Sequence, residues 1–301
     1  MKHVAVIGSA NVDLVVEVPR RPGAGETLLG SDLQRFAGGK GANQAAAAAR
    51  AGARTTFHAC VGSDSDGEIL RSRLAEAGVD VEGIRDVDRP TGTALVLVTP
   101  DGENSIVVSP GANDALDLAF IDASVNDWSP ADLLVLNLES PIWSVEHAAR
   151  LAEDRGVRVL LNAAPAASVH RRTLVLCDPL VVNEHEARIL LEDEVSSFSD
   201  LALRFLEIGV RSVVITLGAA GAVFGENHHV QEVSAHAVDV IDTTGAGDAF
   251  VGSLACELAG GSSLQEAVRF ASAVAAVSVQ HLGAQSSYPD RESVERWLAR
   301  G

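Results

Sequence analysis

The sequence predicts an α/β fold: a central, mostly parallel sheet flanked by helices, with a small β-sheet set apart from it. Three observations predict it. Short apolar runs alternate with helix-like stretches through most of the chain, the pattern of a parallel sheet covered on both faces. Two β-rich pieces, residues 11–35 and 92–112, break that alternation and are free to pair as a separate sheet. The 301 residues are 47% hydrophobic and 21% charged, without repeats or low-complexity linkers, which favours one main domain carrying an insertion.

Residues 3–7 are an apolar run ending at Gly8, the mark of a buried strand. Residues 14–18 and 26–33 are further runs, separated by the turn residues Pro19, Pro22, Gly23 and Gly25. Gly38-Gly39-Lys40-Gly41 then opens an alanine-rich helix, 42–51, stopped by Gly52. A strand is expected at 54–61 and a helix at 66–77, closed by Gly78. Residues 93–98 and 105–108 flank Asp101-Gly102, a hairpin signal. Strands follow at 133–138, 157–161, 180–182 and 213–217, with helices at 144–155, 184–191 and 201–208 between them. Residues 223–224 and 230–233 read as a second hairpin, and 246–259, 264–279 and 291–299 as helices.

Acidic residues number 41 and basic ones 23, a net charge of −18. Such a surface repels a nucleic-acid backbone, so no nucleic-acid partner is expected, although a few local donors can still hold a small anion. Lys2 and Lys40 are the two lysines. Cys60, Cys177 and Cys256 are too scattered for a disulfide framework or a zinc site and suit a reducing cytoplasm. The apolar run near Met1 is too short for a signal peptide, and no run of roughly 18 apolar residues occurs, so no membrane partner is expected.

Four motifs carry chemistry. Asp242-Thr243-Thr244-Gly245-Ala246-Gly247-Asp248-Ala249-Phe250 precedes a helix. Its glycines admit an anion to the backbone amides and the helix N-terminus adds positive potential, while Asp248 is suited to accept a proton. An anion cradle beside a base is what phosphoryl transfer needs, and a plain glycine turn with Asp as N-cap is the competing reading. Gly38 to Gln44 suits a polyhydroxylated ligand or an anion, or merely connects to an alanine helix. Asn11-x-Asp13 and Glu139 follow apolar strands, where α/β folds bind ligands, though Asn and Asp also favour turns. Asn183-Glu184-His185-Glu186 places Glu186 one turn into a helix, able to hold Mg²⁺ through water, or to form a capping box with Asn183. There is no Walker A loop and no dinucleotide fingerprint after the first strand, which excludes a dehydrogenase. The nine histidines form no metal-spaced cluster, and His228-His229 reads as a solvated turn.

Taken in order, these motifs resemble the PfkB carbohydrate kinase family over nearly the whole chain. Gly38 to Gln44 and Asp242 to Phe250 carry the resemblance. Gly8 to Asp13, Pro22 to Thr27, Leu138 to Pro141, Asn162 to Ala166 and Gly283 to Gln285 are most similar to its ribose-phosphorylating branch. The resemblance implies that the orphan β pieces are a lid, clasping a partner's lid in a homodimer. It implies an ATP-dependent kinase acting on the 5-hydroxyl of ribose. Asn11, Asp13, Gly39, Lys40, Gly41, Asn43 and Glu139 match the sugar-binding positions, and Asp248 both binds the sugar and takes its proton. The amides of Gly245, Ala246 and Gly247 match the anion hole, with Gly247 also beside the nucleotide. Asn183, Thr216, Gly218, Gly221 and Ser272 match nucleotide-contacting positions. Glu186 matches the Mg²⁺-linked glutamate, and Asp242, Thr244, Ser278, His281, Gly283 and Ser287 match a K⁺ loop.

The chain departs from the family pattern at Ala163-Ala164, where Pro is frequent, and at the variable positions Ser272 and His281. Two rivals stay open. One is a kinase of the same family for 2-deoxyribose, another sugar or a nucleoside. The other is a non-catalytic sugar-binding protein, for which Asp248 would be superfluous.

Overall fold

The computed structural model describes residues 2–100 and 104–300. Its first half runs β1 (His3–Ile7), β2 (Asn11–Glu17), β3 (Gln34–Gly38), α1 (Lys40–Arg50), β4 (Arg54–Gly62), α2 (Ser65–Glu76), β5 (Val79–Asp80), β6 (Ile84–Val87), β7 (Gly92–Val98) and β8 (Asn104–Ser109). A 3₁₀ turn, Gly111–Ala115, leads to α3 (Leu118–Trp128), β9 (Leu133–Asn137), α4 (Ile142–Asp154), β10 (Arg158–Asn162), α5 (Arg171–Leu174) and β11 (Cys177–Asn183). The chain closes with α6 (Glu184–Leu191), α7 (Phe198–Glu207), β12 (Ser212–Thr216), β13 (Ala222–Glu226), β14 (His229–Val233), α8 (Ala246–Ala259), α9 (Leu264–Ser278) and α10 (Arg291–Leu298).

Ten strands make the large sheet, ordered β14-β13-β12-β11-β10-β9-β1-β4-β5, with β6 also paired to β4. All pairs are parallel except β12–β13 and β13–β14 at one edge. The central strands β1 and β9 are buried at every position, as parallel strands covered on both faces must be. Along β1 the side chains alternate between two cores. Val4 and Val6 join the one built with α1, α8 and α9, and Ala5 and Ile7 the one built with α3, α4 and α7.

The alanines of α1 have a purpose beyond helix propensity. Ala45, Ala46 and Ala48 are fully buried, and α8 crosses α1 so closely that a Cβ on Gly252 would fall 2.4 Å from the Gln44 carbonyl oxygen and 2.6 Å from the Ala47 Cβ. Small residues on both helices allow this approach, which sets Asn43 and Gln44 over the first turn of α8.

The small sheet has the order β3-β2-β7-β8, with β2 and β7 parallel and the outer pairs antiparallel. At its root Asn11 lies in register with Gly38 on one side and Gly92 on the other. The strand expected at 26–33 is not formed. That stretch is nearly all exposed, and it follows β2 through isolated bonds such as Ser31 N to the Glu17 carbonyl at 2.9 Å. The strand is instead β3, whose polar Gln34 and Arg35 carry no apolar signal. The expected turn at Asp101-Gly102 lies outside the described residues. Helix α3 was not expected, although Asp117 caps it by accepting from the Phe120 amide at 2.8 Å.

Candidate active site

The polar residues collect at the C-terminal ends of the parallel strands. Strand β1 runs into Ser9 and Asn11, β9 ends at Asn137 and β10 at Asn162, directly opposite each other, and β11 and β12 end at the opposed pair Asn183 and Thr216. In an open α/β sheet this edge is where a ligand crevice forms.

Near the end of β1, hydrogen bonds settle which way each amide faces. The Ala10 amide donates to Asn113 Oδ1 at 2.9 Å, so Asn113 Nδ2 faces Asn11 and donates to its Oδ1 at 2.7 Å. Among the described residues nothing then accepts from the Asn11 Nδ2, which can donate to a ligand. Glycine here makes room for side chains and close backbone approach. A Cβ on Gly38 would stand 2.3 Å from Asp13 Oδ2, one on Gly92 2.3 Å from Asn11 Oδ1, and one on Gly41 2.7 Å from the Ser9 amide. Gly39 also has φ 88°, a left-handed conformation that favours glycine. Glu139 Oε2 accepts from the Ser9 hydroxyl at 2.5 Å and from the Lys40 amide at 2.9 Å, tying α1 to the end of β9.

Charge is concentrated here. Burial, reinforced by Glu139 and Asp248, pushes the Asp13 carboxyl up to about 7. Lys40 is raised, chiefly by Asp248 and against its own burial, with Glu139 and Glu186 adding to the effect. One ammonium thus serves several carboxylates, and Asp13 is the carboxyl whose charged form is most disfavoured.

Asp248 lies in the first turn of α8, buried, with each oxygen held by an amide of α1. Asn43 Nδ2 donates to Oδ2 at 3.0 Å and Gln44 Nε2 to Oδ1 at 2.9 Å. The cap of α8 is Gly245, not Asp248, so the N-cap reading of this motif does not hold. Gly245 has φ 73°, and Tyr288 donates its hydroxyl to the Gly245 carbonyl at 3.1 Å. Gly247 differs: a Cβ there would meet nothing within 4 Å, and no positive φ requires glycine. It is exposed in the first turn of α8, at a helix N-terminus, where anions are stabilised. The Ala246 amide, expected in the anion hole, already donates to the Thr243 carbonyl at 3.2 Å.

Further along the edge, Asn183 and Glu186 form the capping box. The Glu186 amide donates to Asn183 Oδ1 and the Asn183 amide to Glu186 Oε2, each at 2.8 Å. Capping does not exhaust Glu186, since among the described residues nothing donates to its Oε1. Burial raises its carboxyl against the pull of the Asn183 amide and Lys40. Beyond it, Gly218 and Gly221 bracket a 3₁₀ turn, both with positive φ, and Ser272 is buried in α9, which packs on β13.

The loop before α8 is stitched to the segment after α9. Asp242 Oδ1 accepts from the Thr244 amide at 2.9 Å and hydroxyl at 2.6 Å, and Oδ2 from the Gly283 amide at 2.8 Å. Burial works to raise Asp242, but these bonds outweigh it and hold its carboxyl below the usual range. The Ser278 and Ser287 hydroxyls donate to the Ala275 and Ala284 carbonyls, and the His281 amide to the Ser278 carbonyl. Among the described residues no three His, Cys, Asp or Glu side chains gather as a metal cluster. A cation here would rest on hydroxyl and carbonyl oxygens together with the remaining lone pairs of Asp242, a donor set suited to a hard ion.

Residues 1–291 match the family model described as pfkB family carbohydrate kinase. The chain belongs to the pfkB family of carbohydrate kinases. It is 41% identical to the ribokinase of Haemophilus influenzae over 301 residues, covering 99% of this chain and 98% of that protein. The structure of Thermotoga maritima ribokinase superposes with a TM-score of 0.92 at 34% identity, covering 99% of this chain and 100% of that one. Arabidopsis thaliana ribokinase complexed with ribose and ATP superposes at 0.90 with 33% identity, covering 99% of each chain.

Sequence reasoning missed several residues now seen in the site. Asn113 orients Asn11 from the 3₁₀ turn, and Ser9 bonds Glu139. Gln44, Asn162 and Gln285 extend the contacts around Asp248. The last three stood inside strings already singled out, without a role. No sequence signal distinguishes Asn113 from any other turn asparagine.

Proposed function

We propose that this kinase transfers the γ-phosphoryl group of ATP to the 5-hydroxyl of D-ribose, giving ribose 5-phosphate and ADP. The observation that carries the reading is Asp248: buried in the first turn of α8, both oxygens fixed by α1, within electrostatic reach of Asp13 and Lys40. The likeness to curated ribokinases supplies the sugar.

On this reading Asp13 accepts two ribose hydroxyls, Asn11 and Asn43 add polar contacts, and Gly39, Lys40, Gly41 and Glu139 complete the pocket wall. Asp248 accepts the 5-hydroxyl proton as the oxygen attacks phosphorus in line. The Gly245 and Gly247 amides stabilise the charge developing on the phosphoryl oxygens, with Ala246 contributing on release of Thr243. Asn183, Thr216, Gly218, Gly221 and Ser272 line the nucleotide end. Bound Mg²⁺ would draw charge from the terminal phosphates, held from Glu186 through water. Asp242, Thr244, Ser278, His281, Gly283 and Ser287 would hold K⁺ behind the anion hole.

We read the chain as one domain with the small sheet as a discontinuous lid that excludes water. On one of its faces Leu95 (51%) and Val107 (66%) stand opposite each other and exposed, an apolar pair fit to meet a second copy in a homodimer. Among the described residues no helix is long and apolar enough to cross a membrane, in keeping with a cytoplasmic enzyme.

The test is ADP release with Mg²⁺-ATP and ribose, with and without K⁺, beside 2-deoxyribose, fructose and adenosine. Ribose-dependent ADP that rises with K⁺ is expected. Preference for another acceptor would retract the ribose pocket, and ribose binding without ADP would retract the kinase. Asp248→Asn should fold normally and lose about two or more orders of magnitude in turnover. Near-parental turnover would remove Asp248 from the mechanism.

A further inference from the structure

Gln44 is fully buried and has no part in the chemistry described so far, yet its Nε2 makes two hydrogen bonds. One goes to Asp248 Oδ1 and the other to Asn162 Oδ1, both at 2.9 Å. Asn162 in turn donates from Nδ2 to the Val181 carbonyl at 3.2 Å. A backbone carbonyl can only accept, so Asn162 must present its amino group to Val181 and its oxygen to Gln44. Gln44 must then present its amino group, and Asp248 Oδ1 can only be an acceptor. On the other side Gln285 Nε2 donates to Asn43 Oδ1 at 3.0 Å, which directs the Asn43 amino group to Asp248 Oδ2. The polarity of the Gln44 arm is set by a backbone carbonyl outside the reaction.

Gln44 also carries a cost. Among the described residues its Oε1 is buried without a hydrogen-bond partner. A buried amide that leaves its acceptor unsatisfied is poor structural material, and its persistence in a core asks for another reason. Methionine would fill the same volume without the unsatisfied oxygen.

We propose that Gln44, oriented through Asn162 by the backbone of β11, is the positioning residue that holds Asp248 as a proton acceptor aimed at the sugar hydroxyl. This rests on the reading of Asp248 as the base. Asn43 faces the sugar pocket and binds as well as orients. Gln44 lies behind the carboxylate and acts through it alone.

The experiment compares Gln44→Met, Asn162→Leu, the double variant and Asp248→Asn in the full-length protein. It measures ribose affinity by calorimetry, thermal midpoint, and kcat from pH 5 to 9 at saturating ribose and ATP. The titratable and charged groups facing Asp248 are Lys40 of α1, Asp13 of β2, Glu186 of α6 and Tyr288. All are retained in the Gln44 and Asn162 variants, and using kcat confines the profile to the bound complex. Gln44→Met should keep its midpoint within a few degrees and its ribose affinity within about twofold, while kcat falls on the order of tenfold. The acid limb of kcat should move to higher pH, because a donor to the charged form is gone. Asn162→Leu should shift both in the same direction by less, and adding it to Gln44→Met should change little further. Parental kcat and acid limb in Gln44→Met, with Asp248→Asn inactive, would overturn the positioning role and leave the base intact. Loss of kcat with an unmoved acid limb and additive variants would equally overturn it. An active Asp248→Asn would overturn both readings.

Discussion

Replacing Asp13 with Asn should make the ligand-free enzyme more stable and unable to hold its sugar. The folded carboxyl is pushed from the ordinary 3.8 up to about 7. Each tenfold change in proton affinity is worth about 1.4 kcal/mol, so three such factors set a ceiling of about 4 kcal/mol. Asp13 is only partly buried, and solvent screening lowers the figure to about 2 kcal/mol. A folded value raised above the unfolded one favours the native state below about pH 4, where both states carry the proton, and that advantage is lost as pH rises through 7. Asparagine mimics the protonated form at every pH. The parent and Asp13→Asn should therefore melt together near pH 4, and the variant should gain roughly 4 °C by pH 8. Scanning calorimetry between pH 4 and 8 reads this directly, and ribose, which should raise the parent midpoint, should leave the variant's unmoved. Melting curves that run parallel over the whole range would refute the argument that Glu139, Asp248 and burial load Asp13.

Two glycines four-residue motifs would treat alike should behave oppositely. Gly247→Ala meets open space and should melt at or above the parental temperature, with phosphoryl transfer reduced about tenfold or more by a methyl at the amide cradle. Gly245→Ala forces a Cβ to 2.5 Å from the Tyr288 hydroxyl at φ 73° and should cost about 2 kcal/mol or more in denaturant unfolding. Gly252→Val should separate α8 from α1, lowering stability by about 3 kcal/mol and turnover with it, although the residue lies one helical turn beyond Asp248; an unchanged turnover would mean the helix crossing does not position Asp248.

The large sheet was legible because its strands are continuous apolar runs, such as 133–137, punctuated by glycine. The small sheet was legible only as an interruption. Strand β3 carries Gln34 and Arg35 at an edge, where pairing rather than burial defines the strand, and the leucines at 28, 29 and 33 drew the expectation to the wrong stretch. Helix α3 buries Phe120, Ile121, Ser124, Val125 and Trp128 with a helical period, a pattern present in the sequence and not used. In the site, Asp248 stood out because a carboxylate beside a glycine-rich helix start calls for a reason. Gln44, Asn113 and Gln285 did not, since an amide is mute until folding gives it a partner.

On the proposed function, the register row Gly38, Asn11, Gly92 puts the sugar pocket at the root of the small sheet, where it joins the body. That makes the sheet a lever with its fulcrum on the sugar. Strand β2 extends six steps beyond Asn11 to Glu17, about 20 Å. A tilt of roughly 10° about that row shifts the far end by about 3 Å while the fulcrum barely moves. Fractions of an ångström at the ligand are thus geared up toward the outer end, so a dye placed near Glu17 would register the sugar more loudly than one beside it.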